Sequence, residues 1–523
     1  MNKNIKYAIG EQDFQALRKD GYLYIDKTHY IDKLLKHDGK YYFLARPRRF
    51  GKSLFLSALQ YFFEGKRDLF KGLYIESINK DWQPHPVLRL DLNTGDYSEL
   101  GKLESVLDIT FRNWEKEYGL EVKDEELSQR FQHIIESVHE QTGMQVVILV
   151  DEYDKPLVKN LNNDERFEHY RLKLASVYSN FKSSAAHIRL VFLTGVSRFS
   201  KLSVFSDLNN LNDISFDDDF ADICGVTEKE LLENLQEGIE NLAKEYEIEF
   251  TDALRELKEN YDGYRFSRAG SEIYNPWSLL NCLSKKDIRN YWTFTGEPSI
   301  VVEALKRENS DLKEILNTRC NVNILAGLDL RSSNPLALLY QAGYLTIKDY
   351  DKRKRIYTLG IPNKEVKEGL MDELLKSYVK IKKGNVESVV FKIIDCIEEG
   401  KPKDLLSELD SFLSGIPYEM KMEDENNFQN AIYILLTLIG AKAKVEEHTS
   451  DGRIDLVIET SKYVYLLELK YDKSSKQAFA QIEDKQYARK FRKDHRTIFK
   501  IGANFSSETR SIEDPVIEVE TII

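Results

Sequence analysis

Cysteine is scarce in this chain: Cys224, Cys282, Cys320 and Cys396 are the only four in 523 residues, and no two form a C-x-x-C pair. That spacing suggests neither a zinc knuckle nor a disulfide framework, and a reducing cytoplasm is the expected setting. Long apolar runs are missing too, since no stretch reaches the roughly 18 uninterrupted apolar residues of a membrane span and Met1–Tyr7 carries no apolar signal core. The longest candidate, Ala431 to Ala441, reads as a buried helix. There is no excess of positive charge: the formal net charge is −12, which argues against coating nucleic acid by bulk electrostatics but leaves local basic patches free to bind phosphate. Core-forming residues, by contrast, are plentiful. A hydrophobic content of 42% and this length imply a globular protein of roughly two to four domains.

The chain is organised around Tyr41-Tyr42-Phe43-Leu44-Ala45-Arg46-Pro47-Arg48-Arg49-Phe50-Gly51-Lys52-Ser53, followed by Leu54 to Leu59 at helical spacing. Strand, tight loop ending Gly-Lys-Ser, then helix is the context of a phosphate-binding loop. Backbone amides at the helix start, with Arg49, Phe50 and Gly51 leading into it, would face phosphates. Lys52 would supply a point charge, and the Ser53 hydroxyl would reach a divalent ion. One position departs from the usual pattern: Arg46 stands where a first glycine is expected, so the loop entry has no glycine freedom and Pro47 fixes a further dihedral.

A second apolar run, Val146–Val150, ends in Asp151-Glu152, as a strand buried on both faces would end at a ligand edge. Asp151 is placed to hold Mg²⁺ through water and Glu152 to polarise an attacking water. Ile188–Leu193 ends at Thr194, a candidate γ-phosphate sensor. Arg198 close behind is either a second sensor or a charged strand cap.

Strands alternating with helices across residues 41–195 predict a doubly wound parallel sheet. Tyr24–Thr28 is a candidate neighbour of the nucleotide, and Thr28 is expected to cap a short helix. Thr227-Glu228-Lys229-Glu230 reads as a capping box opening a long amphipathic helix within a helical lid that runs to about Leu280. Further on, Leu336–Gly343, Tyr344–Ile347 and Arg355–Leu359 give helix, strand, charged turn and strand, a winged-helix pattern with Lys352-Arg353-Lys354-Arg355 at the wing tip. The tip reads either as a nucleic-acid contact or as a solvated turn. The expected division is 1–285, an ATPase-like domain with its lid; 286–415, a helical and winged-helix region; and 416–523, a separate α/β domain.

The last hundred residues carry their own signal. Placing Asp455–Glu459 and Tyr463–Lys470 in an antiparallel hairpin closed by Ser461-Lys462 sets Thr460 against Tyr463 and Asp455 opposite Glu468, with Lys470 on the same face. Asp455, Glu468 and the Leu469 carbonyl would ligate Mg²⁺ or Mn²⁺, with Lys470 activating water. A surface hairpin laced by ion pairs is the plainer alternative. Glu425 is a further candidate ligand, and Gln481 is expected to open a basic helix carrying Lys485, Arg489, Lys490, Arg492 and Lys493.

Taken in order, Arg46–Ser53, Leu149–Pro156, Phe192–Leu211, Tyr261–Phe266, Tyr274–Asn281, Leu359–Val366 and Asp451–Lys470 resemble the bacterial AAA-ATPase-like proteins that carry a C-terminal PD-(D/E)XK nuclease-superfamily domain. The resemblance implies an α/β chain: a P-loop core with a parallel sheet, a helical middle and a restriction-endonuclease-like fold. It maps the nuclease motif onto Asp455 and Glu468-Leu469-Lys470, with Ile454 where the motif name has proline. Expected cofactors are ATP and Mg²⁺ or Mn²⁺, and the expected partner is DNA or RNA; homo-oligomerisation is left open. Three readings remain: an ATP-regulated nuclease, a nucleotide-dependent switch or scaffold whose nuclease fold only binds, and a nuclease whose P-loop binds ATP without turnover.

Overall fold

The computed structural model describes residues 5–521 except 38, 124, 199–209, 293–297, 308–311, 327–334, 379–384, 415–424, 443–445, 448–455, 486 and 492–495. It divides into two compact units, residues 1–296 with 316–366, and residues 297–315 with 367–523. This division cuts across the expected 286–415 middle region, because its winged part belongs with the amino-terminal unit.

The first unit is built on a five-stranded sheet. Its strands are β1 (Tyr41–Ala45), β2 (Val87–Asp91), β3 (Val146–Asp151), β4 (Ile188–Gly195) and β5 (Leu211–Asp213), in the order β2-β3-β4-β1-β5 with every pairing parallel. β1 and β3 are buried at every position, as continuous apolar runs covered on both faces should be. Alternation sorts the two faces: Tyr41 and Phe43 join a core with Phe111, Phe131 and Tyr178. Helix α1 (Lys52–Phe63) follows β1 and buries Phe55, Leu56, Leu59, Phe62 and Phe63. It contains neither glycine nor proline, so nothing interrupts its three turns.

The predicted lid is present as helices Glu228–Asn234, Gln236–Glu245, Phe250–Tyr261 and Pro276–Lys285 around Leu231, Ile239, Leu257, Tyr261 and Leu279. Its capping box forms as read, with Thr227 Oγ1 accepting from Glu230 N and Glu230 Oε2 from Thr227 N. The single long helix does not form. Leu235 leaves helical geometry at φ −124°, ψ 13°, which splits it after seven residues. Thr28 precedes the helix His29–Lys36, yet its hydroxyl is spent on Asp26 Oδ1 and Ile75 N rather than on a cap. The winged pattern is found as helix Pro335–Ala342 and the antiparallel hairpin of β7 (Thr346–Asp351) and β8 (Ile356–Gly360), with β6 (Arg319–Asn321) on the outer side of β8.

The second unit holds a mixed sheet in chain order: β9 (Glu446–Glu447), β10 (Leu456–Glu459), β11 (Tyr463–Tyr471), β12 (Thr497–Ser506) and β13 (Ser511–Glu520). β11 and β12 run parallel, which requires a crossover, and the helix Ser475–Asp484 supplies it. Gln481 therefore lies near the end of that helix instead of opening a basic one; Tyr487–Phe491 is a separate 3₁₀ turn, and Arg492 and Lys493 fall outside the described residues. Of the run Ala431 to Ala441, residues Ala431–Ile439 are buried in the helix Glu425–Lys442 apart from the half-buried Tyr433, as the composition predicts.

Gly502 lets the crossover helix lie against the sheet. A Cβ there would stand 2.4 Å from Phe479 N and 2.7 Å from Ser475 O, both backbone atoms that move only with the helix. Gly502→Ala is expected to lower the stability of this unit by about 1–3 kcal/mol. Urea unfolding of the full chain should show an earlier transition, and an unshifted one would mean that helix and strand separate at no cost.

Candidate functional site

The loop between β1 and α1 takes its shape from two left-handed residues, Arg49 at φ 68° and Gly51 at φ 93°, and from one buried cation. Arg46, 1% exposed, does not need the freedom of the glycine it replaces. Its guanidinium donates to the carbonyls of Ala45 and Ser215 at 2.9 Å, Phe220 at 3.1 Å and Ala221 at 3.2 Å, and it lies 4.4 Å from the Phe266 ring. Arg46 is thus a structural pin for the loop. Phe50 turns inward, edge-on to Tyr264 and Phe266, and its carbonyl accepts from Gly225 N. Arg49 stacks on Trp277 of the lid at 4.1 Å.

Lys52 opens α1 with its ammonium buried. It donates to the carbonyls of Arg46 at 3.1 Å and Pro47 at 3.2 Å, and pairs with Glu152 Oε1 at 3.2 Å. Sequence reasoning assigned Lys52 and Glu152 separate roles, and here they meet. Glu152 follows β3 at φ 51°, a left-handed conformation that costs a non-glycine residue about 1 kcal/mol or more. Asp151, 2% exposed, accepts from Thr194 Oγ1 at 2.6 Å and lies 3.8 Å from the Arg89 guanidinium. Thr194 therefore holds the Asp151 carboxylate. Arg198 pairs through Nε with Asp213 Oδ2 at 2.8 Å and covers Phe216 at 4.4 Å, which is the strand-cap arrangement.

A cavity of about 450 Å³ opens on this loop. Arg48, Arg49, Lys52, Ser53, Asn93, Glu152 and Lys155 form its polar side, while Leu23, Ile25, Ile223, Val226 and Leu280 form an apolar wall. The segment Tyr24–Lys27 reaches it, as considered from the sequence. Residues 8–12 and 223–226 were not foreseen as walls, because they carry no motif and arrive by tertiary contact. Asp91 was also missed: it lies directly beside Asp151 in the β2/β3 register, and burial raises its carboxyl pKa. Its place as the last residue of an apolar strand was the available signal.

Asp154, 1% exposed, ties the ends of β3 and β4 together by accepting from Val196 N at 3.2 Å and Ser197 N at 2.6 Å. Burial, then the charge of Glu152, pushes its carboxyl up to about 6. A carboxyl raised on folding makes the folded state hold its proton more tightly. That contribution is complete below the unfolded value near 4 and is lost as pH rises through about 6. Stability should therefore fall across this window, by up to about 1.4 kcal/mol per pH unit. Asp154→Asn should flatten the corresponding stretch of the Tm-against-pH curve, and an unchanged slope would place the titration elsewhere.

In the second unit the predicted register is observed over the described positions: Thr460 N donates to Tyr463 O at 2.8 Å, and pairs run from Glu459–Val464 to Leu456–Leu467. Asp455 lies outside the described residues, as does the side chain of Glu425. Glu468 is 1% exposed and pairs with Lys470 Nζ at 2.8 Å on the same face. The surface-hairpin alternative does not fit β11, whose Val464 to Leu469 are buried on both faces. Among the described residues, no three His, Cys, Asp or Glu side chains gather as a metal cage.

A parallel sheet with a lysine-bearing loop and strand-end acids, followed by a mixed sheet with a buried Glu-x-Lys pair, defines a P-loop ATPase-like core joined to a nuclease-type domain. Family models agree: "Predicted AAA-ATPase" matches residues 8–205 and "PD-(D/E)XK nuclease superfamily" matches 423–515. A relative from Azotobacter chroococcum mcd 1, described as "Uncharacterized protein in vnfD 5'region", is 34% identical over 528 residues, spanning 98% of this chain and 99% of its own. The chain belongs to the AAA-ATPase-like proteins with a C-terminal PD-(D/E)XK nuclease-superfamily domain. The solved structure of the Aeropyrum pernix ORC2 protein in ADPNP-ADP complexes overlaps 66% of this chain and 92% of its own, at 11% identity and a TM-score of 0.25, too loose an overlap to carry an argument. Among the described residues no helix is long and apolar enough to cross a membrane.

Proposed function

We propose that this protein binds and hydrolyses ATP at the Lys52 loop and cuts nucleic-acid phosphodiesters at the Glu468 site, with nucleotide state governing the second activity. The observation that carries the reading is a lysine paired with an acid in each unit, Lys52–Glu152 at 3.2 Å beyond the carboxyl ends of parallel strands and Lys470–Glu468 at 2.8 Å within a strand of a parallel pair.

The amino-terminal cavity suits a nucleotide, with charge at the helix start and an apolar wall wide enough for a base. The Lys52 ammonium faces two carbonyls and one carboxylate. To grip phosphate oxygens it would exchange Glu152, and the released carboxylate would be free to orient water. Asp151 and Ser53 would hold a divalent ion there, Thr194 keeping Asp151 in its rotamer. In the second unit Asp455, Glu468 and the Leu469 carbonyl would hold Mg²⁺ or Mn²⁺. A bound divalent ion supplies charge neutralisation to the phosphate under attack. Lys470, paired with Glu468, would steady a water beside it.

Lys52→Ala should weaken binding of a fluorescent ATP analogue at least tenfold. Glu152→Gln should keep binding but cut phosphate release by about 100-fold or more. Wild type that binds without releasing phosphate would remove hydrolysis from the proposal.

For the second site, a panel of DNA and RNA substrates with Mg²⁺ or Mn²⁺ should be cut by wild type and left intact by Glu468→Gln and Asp455→Ala, with nucleotide affinity unaltered. Cleavage that survives Glu468→Gln sinks the nuclease assignment. Binding of nucleic acid with no cleavage under any metal would favour a nucleotide-dependent switch.

A further inference from the structure

We propose that the tip of the β7–β8 hairpin, Lys352-Arg353-Lys354-Arg355, is a docking contact for the phosphate backbone of double-stranded nucleic acid. This rests on the nuclease reading and extends it by naming where the substrate is held in the amino-terminal unit.

All four side chains are exposed. One acid at the base of the turn, Asp351, is used to shape it: its Oδ1 accepts from Arg353 N at 2.9 Å and Lys354 N at 3.0 Å, and its carboxylate lies 3.8 Å from Lys354 Nζ. Among the described residues that is the one ion pair on the tip. Arg319, exposed on neighbouring β6, adds a fifth cation within electrostatic reach of Asp351. In a chain whose formal net charge is −12, such a concentration is what overcomes general repulsion from a polyanion.

Arg355 adds an independent sign. It occupies the left-handed region at φ 57°, where glycine or asparagine sits at little cost. An arginine held there spends stability to keep its charge at the turn, and strain of this kind gathers at working surfaces.

The tip is also firmly mounted. β8 is bonded on both sides, to β6 and β7, and the Tyr350 and Tyr357 rings meet across the hairpin, 4.6 Å apart and tilted by 39°. Its root rests on the phosphate loop: Trp292 Nε1 donates to Arg48 O at 3.2 Å, and Gly343 approaches Pro47 so closely that an added Cβ would lie 2.8 Å from the Pro47 ring. Gln341 Oε1 receives Arg198 N at 3.0 Å. The cations therefore project from a fixed base, so the backbone that carries them loses little freedom on docking.

The chemistry favours a duplex over a single strand. Single-stranded nucleic acid is gripped by aromatic platforms on which bases stack. Here the tip has none, and the nearest rings are occupied with each other. Adjacent cations without stacking groups match the dense phosphate charge of a double helix.

The test is fluorescence anisotropy of the full chain with labelled 30-base-pair DNA and RNA duplexes, in EDTA so that no metal-dependent cleavage intervenes, across a salt series. The triple variant Lys352→Ser, Arg353→Ser, Lys354→Ser should raise Kd at least tenfold near 100 mM salt and reduce the slope of log K against log salt by about two to three. Arg355→Asn keeps the left-handed turn and should reduce the slope by about one. Fluorescent-nucleotide affinity should stay at wild-type values in both variants, with Tm unchanged in the triple variant and no lower in Arg355→Asn, showing that the fold and the Lys52 site are intact. DNA and RNA arms tell which duplex is held. A Kd and slope unchanged in both variants, or no duplex binding by wild type, overturns the contact. Wild type that binds through the tip but never cuts leaves the contact standing and removes the nuclease reading instead.

Discussion

A guanidinium buried where β1 leaves the sheet governs the shape of the phosphate loop. Arg46 reaches four carbonyl oxygens, three of them in the segment 215–221, and one aromatic face. Burying a full charge is costly unless its donors are met, and here most are. The consequence is a loop whose entry is anchored to the strand-end segment after β5, so its bend can be left to Arg49 and Gly51 alone. Lys52 then finds its acceptors in the very carbonyls that Arg46 and Pro47 present. A glycine at position 46 would supply conformational freedom that the loop does not use, and would remove the anchor.

Much of this was legible from residue order. Apolar runs ending in acids placed β3 and its Asp151-Glu152 end, and the side-chain period of two placed the Thr460–Tyr463 closure and the register beyond it. The capping box at Thr227 and the wing hairpin read correctly because each is decided within a few residues. What escaped was decided at long range. Nothing near residues 8–12 or 223–226 marks them as cavity walls. The role of Arg46 depends on carbonyls some 170 positions away, and the hydroxyl of Thr194 could be assigned to Asp151 only once β3 and β4 were neighbours. Gln481 was read as opening a helix, although it lies near the end of Ser475–Asp484, because apolar residues continue past that end: Ile482, Ala488 and Phe491 pack in one core, so the pattern shows no break.

The two units solve the same electrostatic problem in different surroundings. A carboxylate withdrawn from water needs an opposite charge beside it, and in both units that charge is a lysine. Glu152 takes Lys52 as partner across a loop, and both line the cavity. Glu468 takes Lys470 from two residues along its own strand, so that pair is built into the pleat and does not depend on any loop. The first arrangement suits a site that opens and closes, and the second suits one that is fixed.

That difference extends to the surroundings of each pair. Around Glu152 the backbone is left-handed, and Asp154 two residues on is buried with a raised pKa while it gathers the amides that follow β4. Strain and an awkwardly buried acid lie side by side at the junction of β3 and β4, with Tyr153 between them donating its hydroxyl to Ser197 O. Around Glu468, by contrast, the parallel ladder to β12 continues from Tyr463 to Tyr471 without a shift in register. Stored strain belongs where a conformation must change, and an unbroken ladder where it must not. Strain thus lies at residues 151–154, while the strand that carries Glu468 is held in a regular ladder to β12.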